Sequence, residues 1–368
     1  MKYIVHIDLN AFFAQVEMNR HPEFVGKPLA VGGDTARSVV STANYAARKF
    51  GVGSGMPISQ ALRLCPSLVV VPGDFSEYAR QSRLFFRAVR LYVPTIEMAS
   101  IDECYGDATD FLNGLSEGKI HDKLFDLQMG LLERTGLKCS IGLGPNKFLA
   151  KMGSDMKKPL GITLLLTQRE VRERLWPLPI RNMYGIGKKT YPRLEEIGIA
   201  TIGDLANTGL KECRDLLGSM FDWLVAEANG AGSDILDLSS FDPKSCSSDV
   251  TLPADTTDYE EIKTHLVSCA KEVGRELRDH GKVTRTICVK LRDSSFRTIS
   301  KRSTINEFID SDEDVAFQAL RIFDGFYDDR PLRLVGVAAE DCMDREDAVS
   351  RPYQMTLGEA AAKGGGGK

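Results

Sequence analysis

The stretch Tyr3-Ile4-Val5-His6-Ile7-Asp8-Leu9-Asn10-Ala11-Phe12-Phe13-Ala14-Gln15-Val16-Glu17 sets an acid at the junction of two periodicities. Residues 3–7 form an apolar run that reads as a strand buried on both faces, and it ends at Asp8. Asn10 is placed to cap a short helix that fits residues 11–17. A second acidic feature, the pair Asp102-Glu103, falls in the turn region of a hairpin read over residues 97–107. Acids at strand ends can enter one cleft from distant parts of a chain. Three carboxylates held together repel one another, and a hard divalent cation such as Mg²⁺ relieves that repulsion. Two such ions roughly 3.5–4 Å apart can clamp the attacking and leaving oxygens of a phosphoryl transfer. On spacing alone, acids flanking surface turns, common in nearly every protein, are the better account of the same residues.

Outward from the first strand, Pro22, Gly26 and Pro28 punctuate the chain, and Leu29-Ala30-Val31 and Val39-Val40 read as short strands around a Gly32-Gly33 turn. Helical spacing covers residues 43–50, 58–64, 78–92, 124–132 and 147–156, with a strand at 139–143. Strands and helices thus interleave to about residue 166, the pattern of a mixed sheet covered by helices. Residues 176–230 are helical and glycine-punctuated, and 230–243, rich in Gly, Ser and Asp, form the best linker. A separate α+β domain comes next: a helix over 256–280, strands at 284–292 and 296–303, a helix near 313–326 and a strand at 332–338. The tail from Tyr353 reads as disordered or as a scar of expression.

The 368 residues are 43% hydrophobic and 27% charged, a composition that supports buried cores. The longest apolar runs fall far short of a membrane span, and the N-terminal run meets Asp8 before a secretory h-region can develop, so a cytoplasmic protein without a membrane partner is expected. Eight scattered cysteines with no C-x-x-C spacing, and five histidines, predict reduced thiols and neither a zinc site nor a disulfide framework. The formal charge of −4 counts superficially against nucleic acid. The positive charge is nevertheless segmental. Residues 282–302 carry Lys282, Arg285, Lys290, Arg292, Arg297, Lys301 and Arg302 against Asp293 alone. Steep salt dependence of DNA binding is the expectation.

Four stretches, taken together and in order, closely resemble the Y-family translesion DNA polymerases, nearest their bacterial DNA polymerase IV branch. They are Ile7 through Glu17, Ser41-Thr42-Ala43-Asn44-Tyr45-Ala46-Ala47-Arg48-Lys49-Phe50-Gly51, Ser100-Ile101-Asp102-Glu103, and Gly142-Leu143-Gly144-Pro145-Asn146-Lys147 through Lys158-Pro159-Leu160-Gly161. The resemblance runs from residue 1 to about 345. It implies an α+β multidomain right-hand polymerase with a palm (1–10 and 75–165), small fingers (11–74), a helix-hairpin-helix thumb (166–230), a linker (231–242), a little finger (243–345) and a flexible tail (346–368). It implies low-fidelity, template-directed extension of a primer with dNTPs, by a monomer.

By the same resemblance, Asp8, Asp102 and Glu103, with the backbone carbonyl of Leu9, hold two Mg²⁺ ions. Phe12, Phe13, Tyr45, Arg48 and Lys158 meet the dNTP. Tyr45 and Arg48, three apart on a helix, share a face, and a guanidinium suits phosphate oxygens. Phe13 is the gate that leaves no room for a 2′-hydroxyl, while Ala11 stands where many relatives carry a larger side chain. Gly185, Gly187 and Lys188 belong to a helix-hairpin-helix that meets DNA phosphates through backbone N–H groups. On the last domain, Lys290, Arg292, Arg297, Lys301 and Arg302 grip the DNA backbone. Gln354-Met355-Thr356-Leu357 resembles the start of a peptide that binds the sliding clamp, although Gly358 replaces an aromatic. Two other readings stand beside the polymerase: a two-metal nuclease using the same acids, and a catalytically silent DNA-binding scaffold.

Overall fold

In the computed structural model, residues 2–33, 35, 37–239 and 242–350 are described, and the chain divides into two units between Leu238 and Ser239. The clamp-like peptide at 354–357 and the Gly-rich tail lie outside the described residues.

The first unit runs β1 (Ile4–Leu9), α1 (Phe12–Arg20), β2 (Leu29–Gly32), β3 (Val40–Ala43), α2 (Tyr45–Arg48), α3 (Ile58–Leu64), β4 (Val69–Val71), α4 (Phe75–Arg90), β5 (Ile96–Met98), β6 (Glu103–Asp107), α5 (Thr109–Leu112), α6 (Glu117–Thr135), β7 (Cys139–Gly144), α7 (Lys147–Met156), β8 (Ile162–Leu164) and α8 (Gln168–Glu170). A short π-helical turn then leads into the small helices α9 (Tyr191–Glu196), α10 (Ile202–Ala206), α11 (Lys211–Leu217) and α12 (Phe221–Ala228). The main sheet has the order β5-β6-β1-β7-β8. β1 lies at its centre, antiparallel to β6 and β7, and all six of its residues are buried. This register sets Asp8 opposite Glu103. β2, β3 and β4 form a second, three-stranded sheet with its own small core around Ala30, Val40, Ala47 and Ile58.

α7 packs against β1 and β7 unusually closely. A Cβ at Gly142 would run into the backbone of Ala150 and Ser154, so only glycine allows this approach. The consequence is functional, because α7 carries Lys151 over the strand ends. α8 to α12 enclose a helical core of Leu175, Ile186, Leu194, Ile202, Leu205 and Leu224.

The second unit comprises β9 (Cys246–Thr256), α13 (Tyr259–Asp279), β10 (Lys282–Asp293), β11 (Thr298–Ile309), α14 (Asp312–Asp324), β12 (Leu332–Glu340), β13 (Met343–Asp344) and α15 (Arg345–Ser350). Its sheet, ordered β11-β10-β12-β9, is antiparallel throughout, and α13 and α14 pack against the core it shares with them.

Several expectations change. Asn10 does not cap α1: the N-cap position is Ala11, in the left-handed region at φ 50°, and no side chain caps it. The helix read over 43–50 is a strand to Ala43 and then α2, because Asn44 caps at that point by accepting from Ala47 N. β9 has no counterpart among the expected strands. It is a polar edge strand in which mainly Cys246 and Leu252 are buried, and its Pro253 is tolerated at an edge. Residues 231–238 belong by contact to the first unit, where Asn146 Nδ2 bonds Gly230 O and Asp237 N bonds Glu97 Oε2. All eight cysteines are free, six of them buried. No described helix is long and apolar enough to cross a membrane.

Candidate active site

The two acid-bearing segments are joined by backbone, since Leu9 N donates to Asp102 O at 3.0 Å. Asp8 is 7% exposed, whereas Asp102 and Glu103 are half-buried. Burial, with Asp8 and Glu103 as like-charged neighbours, pushes the Asp102 carboxyl above its ordinary range against the hydrogen bond it accepts from Ser100 Oγ at 2.6 Å. Glu103 is held below the carboxylate range by His6 and Lys151. Donor atoms of His6, Asp8 and Glu103 all fall within 4.8 Å of one another, the only such group of three among the described residues.

Two lysines enter this cluster. Lys151 Nζ donates to Glu103 Oε2 at 2.6 Å and to Asp8 Oδ2 at 3.3 Å. Lys158 Nζ stands 2.7 Å from Asp8 Oδ2 and 2.7 Å from Asp155 Oδ1. Burial alone would lower both ammonium groups, but the surrounding acids outweigh it and raise them. Crowded carboxylate oxygens whose charge already draws in cationic groups are the donor chemistry of a hard divalent ion, and the residues present fit one.

His6, Lys151 and Asp155 are not singled out by the sequence. Strand alternation puts His6 on the face of Asp8, two residues on, and helical spacing puts Lys151 on the face of Asp155. His6 is fully buried, with Nδ1 2.8 Å from Ser154 Oγ and Nε2 3.6 Å from Glu103 Oε2.

Of the aromatic pair, Phe12 is 2% exposed with its ring packed into the core, whereas Phe13 is half-buried. The Phe13 ring stacks on Tyr78 at 4.3 Å and 14° and meets the edge of Phe75 at 5.6 Å. Tyr78 is itself anchored, its hydroxyl donating to buried Glu17 at 2.6 Å. The Arg48 guanidinium lies over the Tyr45 ring at 4.8 Å, and burial raises the Tyr45 phenol while Arg48 and Lys158 oppose the shift. Arg48, Lys158 and Asp8 all lie within electrostatic reach of the Tyr45 phenol.

Gly185 has φ 93°, and Gly187 O accepts from Thr190 N and Tyr191 N as α9 begins, with exposed Lys188 between them. On the second unit, Ile287, Val289 and Leu291 of β10 are buried while Cys288, Lys290 and Arg292 face outward. Lys290 is already paired with Asp249 at 2.6 Å, across Gly336, where a Cβ would strike the Asp249 carboxylate. Arg302 reaches Glu340 at 3.3 Å, and Arg292 donates to Thr298 Oγ1. The side chains of Arg297 and Lys301 have no ion pair among the described residues.

A mixed-sheet palm with small fingers, a helix-hairpin-helix thumb and an α+β little finger defines a right-hand polymerase. The model of the impB/mucB/samB family matches residues 7–155, that of the family's C-terminal domain residues 243–357, and that of the IMS family HHH motif residues 169–199. DNA polymerase IV of Oceanobacillus iheyensis is 38% identical over 365 residues, covering 98% of this chain and 86% of that protein. DNA polymerase IV 1 of Bacillus subtilis is 38% identical over 363 residues, covering 98% and 87%. Among solved structures, a Y-family DNA polymerase chimera, Dbh-Dpo4(243-245)-Dbh, matches with a TM-score of 0.82 at 28% identity, covering 93% of this chain and all of that one. An insertion ternary complex of Dbh DNA polymerase matches with a TM-score of 0.64 at 28% identity and the same coverage. The chain belongs to the impB/mucB/samB family, the Y-family DNA polymerases, and resembles bacterial DNA polymerase IV within it.

Proposed function

We propose that Asp8, Asp102 and Glu103, with the Leu9 carbonyl, bind two Mg²⁺ ions and that this centre carries out template-directed, translesion synthesis on primer-template DNA from dNTPs. The observation that carries the assignment is the convergence of the three acids, through the β1–β6 register and the Leu9–Asp102 hydrogen bond, at one end of the sheet. Bound divalent cations supply charge neutralisation at the primer 3′-hydroxyl and at the leaving pyrophosphate. The protein's own part is positioning. β1 and β6 hold the acids in register, and half-buried Asp102 binds a proton more tightly than a free carboxylate does. Tyr45, Arg48 and Lys158 orient the triphosphate through a phenol, a planar guanidinium and a point charge. Phe13, backed by Tyr78, presents a flat ring to the sugar and excludes a 2′-hydroxyl.

The palm is assigned to 1–10 and 75–165, the fingers to 11–74, the thumb to 166–230 and the little finger to 243–345. The helix-hairpin-helix around Gly185, Gly187 and Lys188 and the outward side chains of β10 and β11 hold the phosphate backbone. Incubation with Mg²⁺ and a labelled primer-template, with and without dNTPs, tests the reading. Extension that requires dNTPs is expected; strand cleavage without extension would mean a nuclease.

A further inference from the structure

Asn10 comes directly after the central strand and is 4% exposed, yet its side chain does not serve the helix that begins beyond it. It reaches across the sheet end instead. Its Oδ1 accepts from Leu160 N at 2.8 Å, and its Nδ2 donates to Ser140 Oγ at 2.9 Å. The residue itself is held in place, with its N–H on Lys138 O at 2.8 Å and its C=O accepting from Gln15 Nε2 at 2.9 Å.

Leu160 needs such an anchor. It is a non-glycine residue at φ 62°, a sparsely populated conformation that persists only where the surroundings enforce it. Its side chain is 42% exposed, so packing does not supply the restraint. Hydrogen bonds do: Asn10 takes its N–H, and Gln128 Nε2 donates to its C=O at 3.2 Å. Lys158 lies two residues earlier in this turn, with its ammonium 2.7 Å from Asp8. One strand end therefore holds both parts of the lysine, the head through Asp8 and the turn through Asn10.

We propose that Asn10 is a positioning residue for the incoming nucleotide: by clamping the 157–161 turn to the end of β1, it sets where the Lys158 ammonium stands relative to Asp8 and the Leu9 carbonyl. The proposal rests on the reading of Lys158 as a triphosphate contact. An amide suits the task chemically. It offers an acceptor to Leu160 and a donor to Ser140 at once, and adds no further negative charge beside Asp8.

The test is single-nucleotide insertion kinetics on Asn10→Ala, Asn10→Asp, Lys158→Ala and the double variant Asn10→Ala/Lys158→Ala, with primer-template affinity measured by anisotropy and hydrogen exchange monitored over 157–161. Loss of one buried hydrogen bond to the turn should raise the dNTP KM about tenfold in Asn10→Ala, with kcat and DNA affinity within about twofold. Asn10→Asp, which keeps the acceptor for Leu160 but adds the charge that the amide avoids, should keep the Leu160 amide protected. The Leu160 amide should lose protection in Asn10→Ala. In the Lys158→Ala background the Asn10 change should add less than about twofold, since the two act as one unit. An undiminished effect in that background, or a loss confined to kcat, overturns the proposal while leaving Lys158 as a triphosphate contact. An unchanged KM in Lys158→Ala overturns that contact and the proposal with it. Should Asn10→Ala fail to fold, Gln128→Ala removes the second anchor of Leu160, and an unchanged dNTP KM there counts against the clamp.

Discussion

Around Asp8, acids and lysines stand 2.6–3.3 Å apart beneath α7, whereas on the outward face of β10 and β11 the cations are spread out and two of them, Lys290 and Arg302, are tied to acids two strands away. The first arrangement is a partly buried network, in which each charge depends on the others and removing one leaves its partners uncompensated. The second consists of solvated charges that act nearly independently and are screened by salt. Chemistry at a reacting atom demands the former. A grip on a repeating phosphate backbone is served by the latter.

The hardest test of this contrast is removal of one acid. Asp8→Ala or Asp102→Ala should lower primer extension by roughly 10³-fold, since several kcal/mol of charge stabilisation is at stake and each 1.4 kcal/mol is about tenfold. Unaltered activity in a purified assay would mean the centre lies elsewhere. Next in size, Phe13→Ala should lower discrimination between deoxyribo- and ribonucleotides by roughly 10–100-fold while extension with dNTPs stays measurable. Unchanged ratios of kcat/KM would reject Phe13 as the gate.

On the sheet face smaller, graded effects are expected. Replacing both Arg297 and Lys301 by Gln should reduce the slope of log K against log salt by about 1.8, at about 0.9 per phosphate contact. Replacing Lys290 and Arg302 should reduce it less, because Asp249 and Glu340 already neutralise them. Equal slopes from the two pairs, measured by anisotropy titration, would erase the distinction. The smallest effect is on stability. Because Asp102 binds its proton more tightly in the folded state than its ordinary 3.8, its ionised form costs stability as pH rises through the elevated pKa. Without added metal, Asp102→Asn should therefore melt about 1–3 °C above the wild type at pH 7, a gap that closes as pH falls toward 4. A lower melting temperature at pH 7 would show that the cluster is not frustrated.

Much of the architecture is legible in local pattern. β1, α3 and α7 arise from apolar runs and helical spacing, with α3 and α7 matching their expected ends. β9 is not legible, because an edge strand buries few residues and so carries little hydrophobic signal. The polar first turns of α6 conceal its start at Glu117 for the same reason. At the site, Asp8 and the Asp102-Glu103 pair are visible as acids at strand ends. Lys151 and His6 are not, since neither differs locally from an ordinary surface lysine or core histidine.

The sequence by itself determined which residue types could do this chemistry and where the strands carrying them end, since both depend on side-chain identity and periodicity along the chain. Only the tertiary structure decided which charges meet. Asp8 joins Lys151 143 residues away and Lys158 150 residues away, and Asn10 leaves its expected cap to hold Leu160 at the same remove of 150. Those pairings depend on strand register and on the close approach of α7 at Gly142, neither of which any local stretch of sequence specifies.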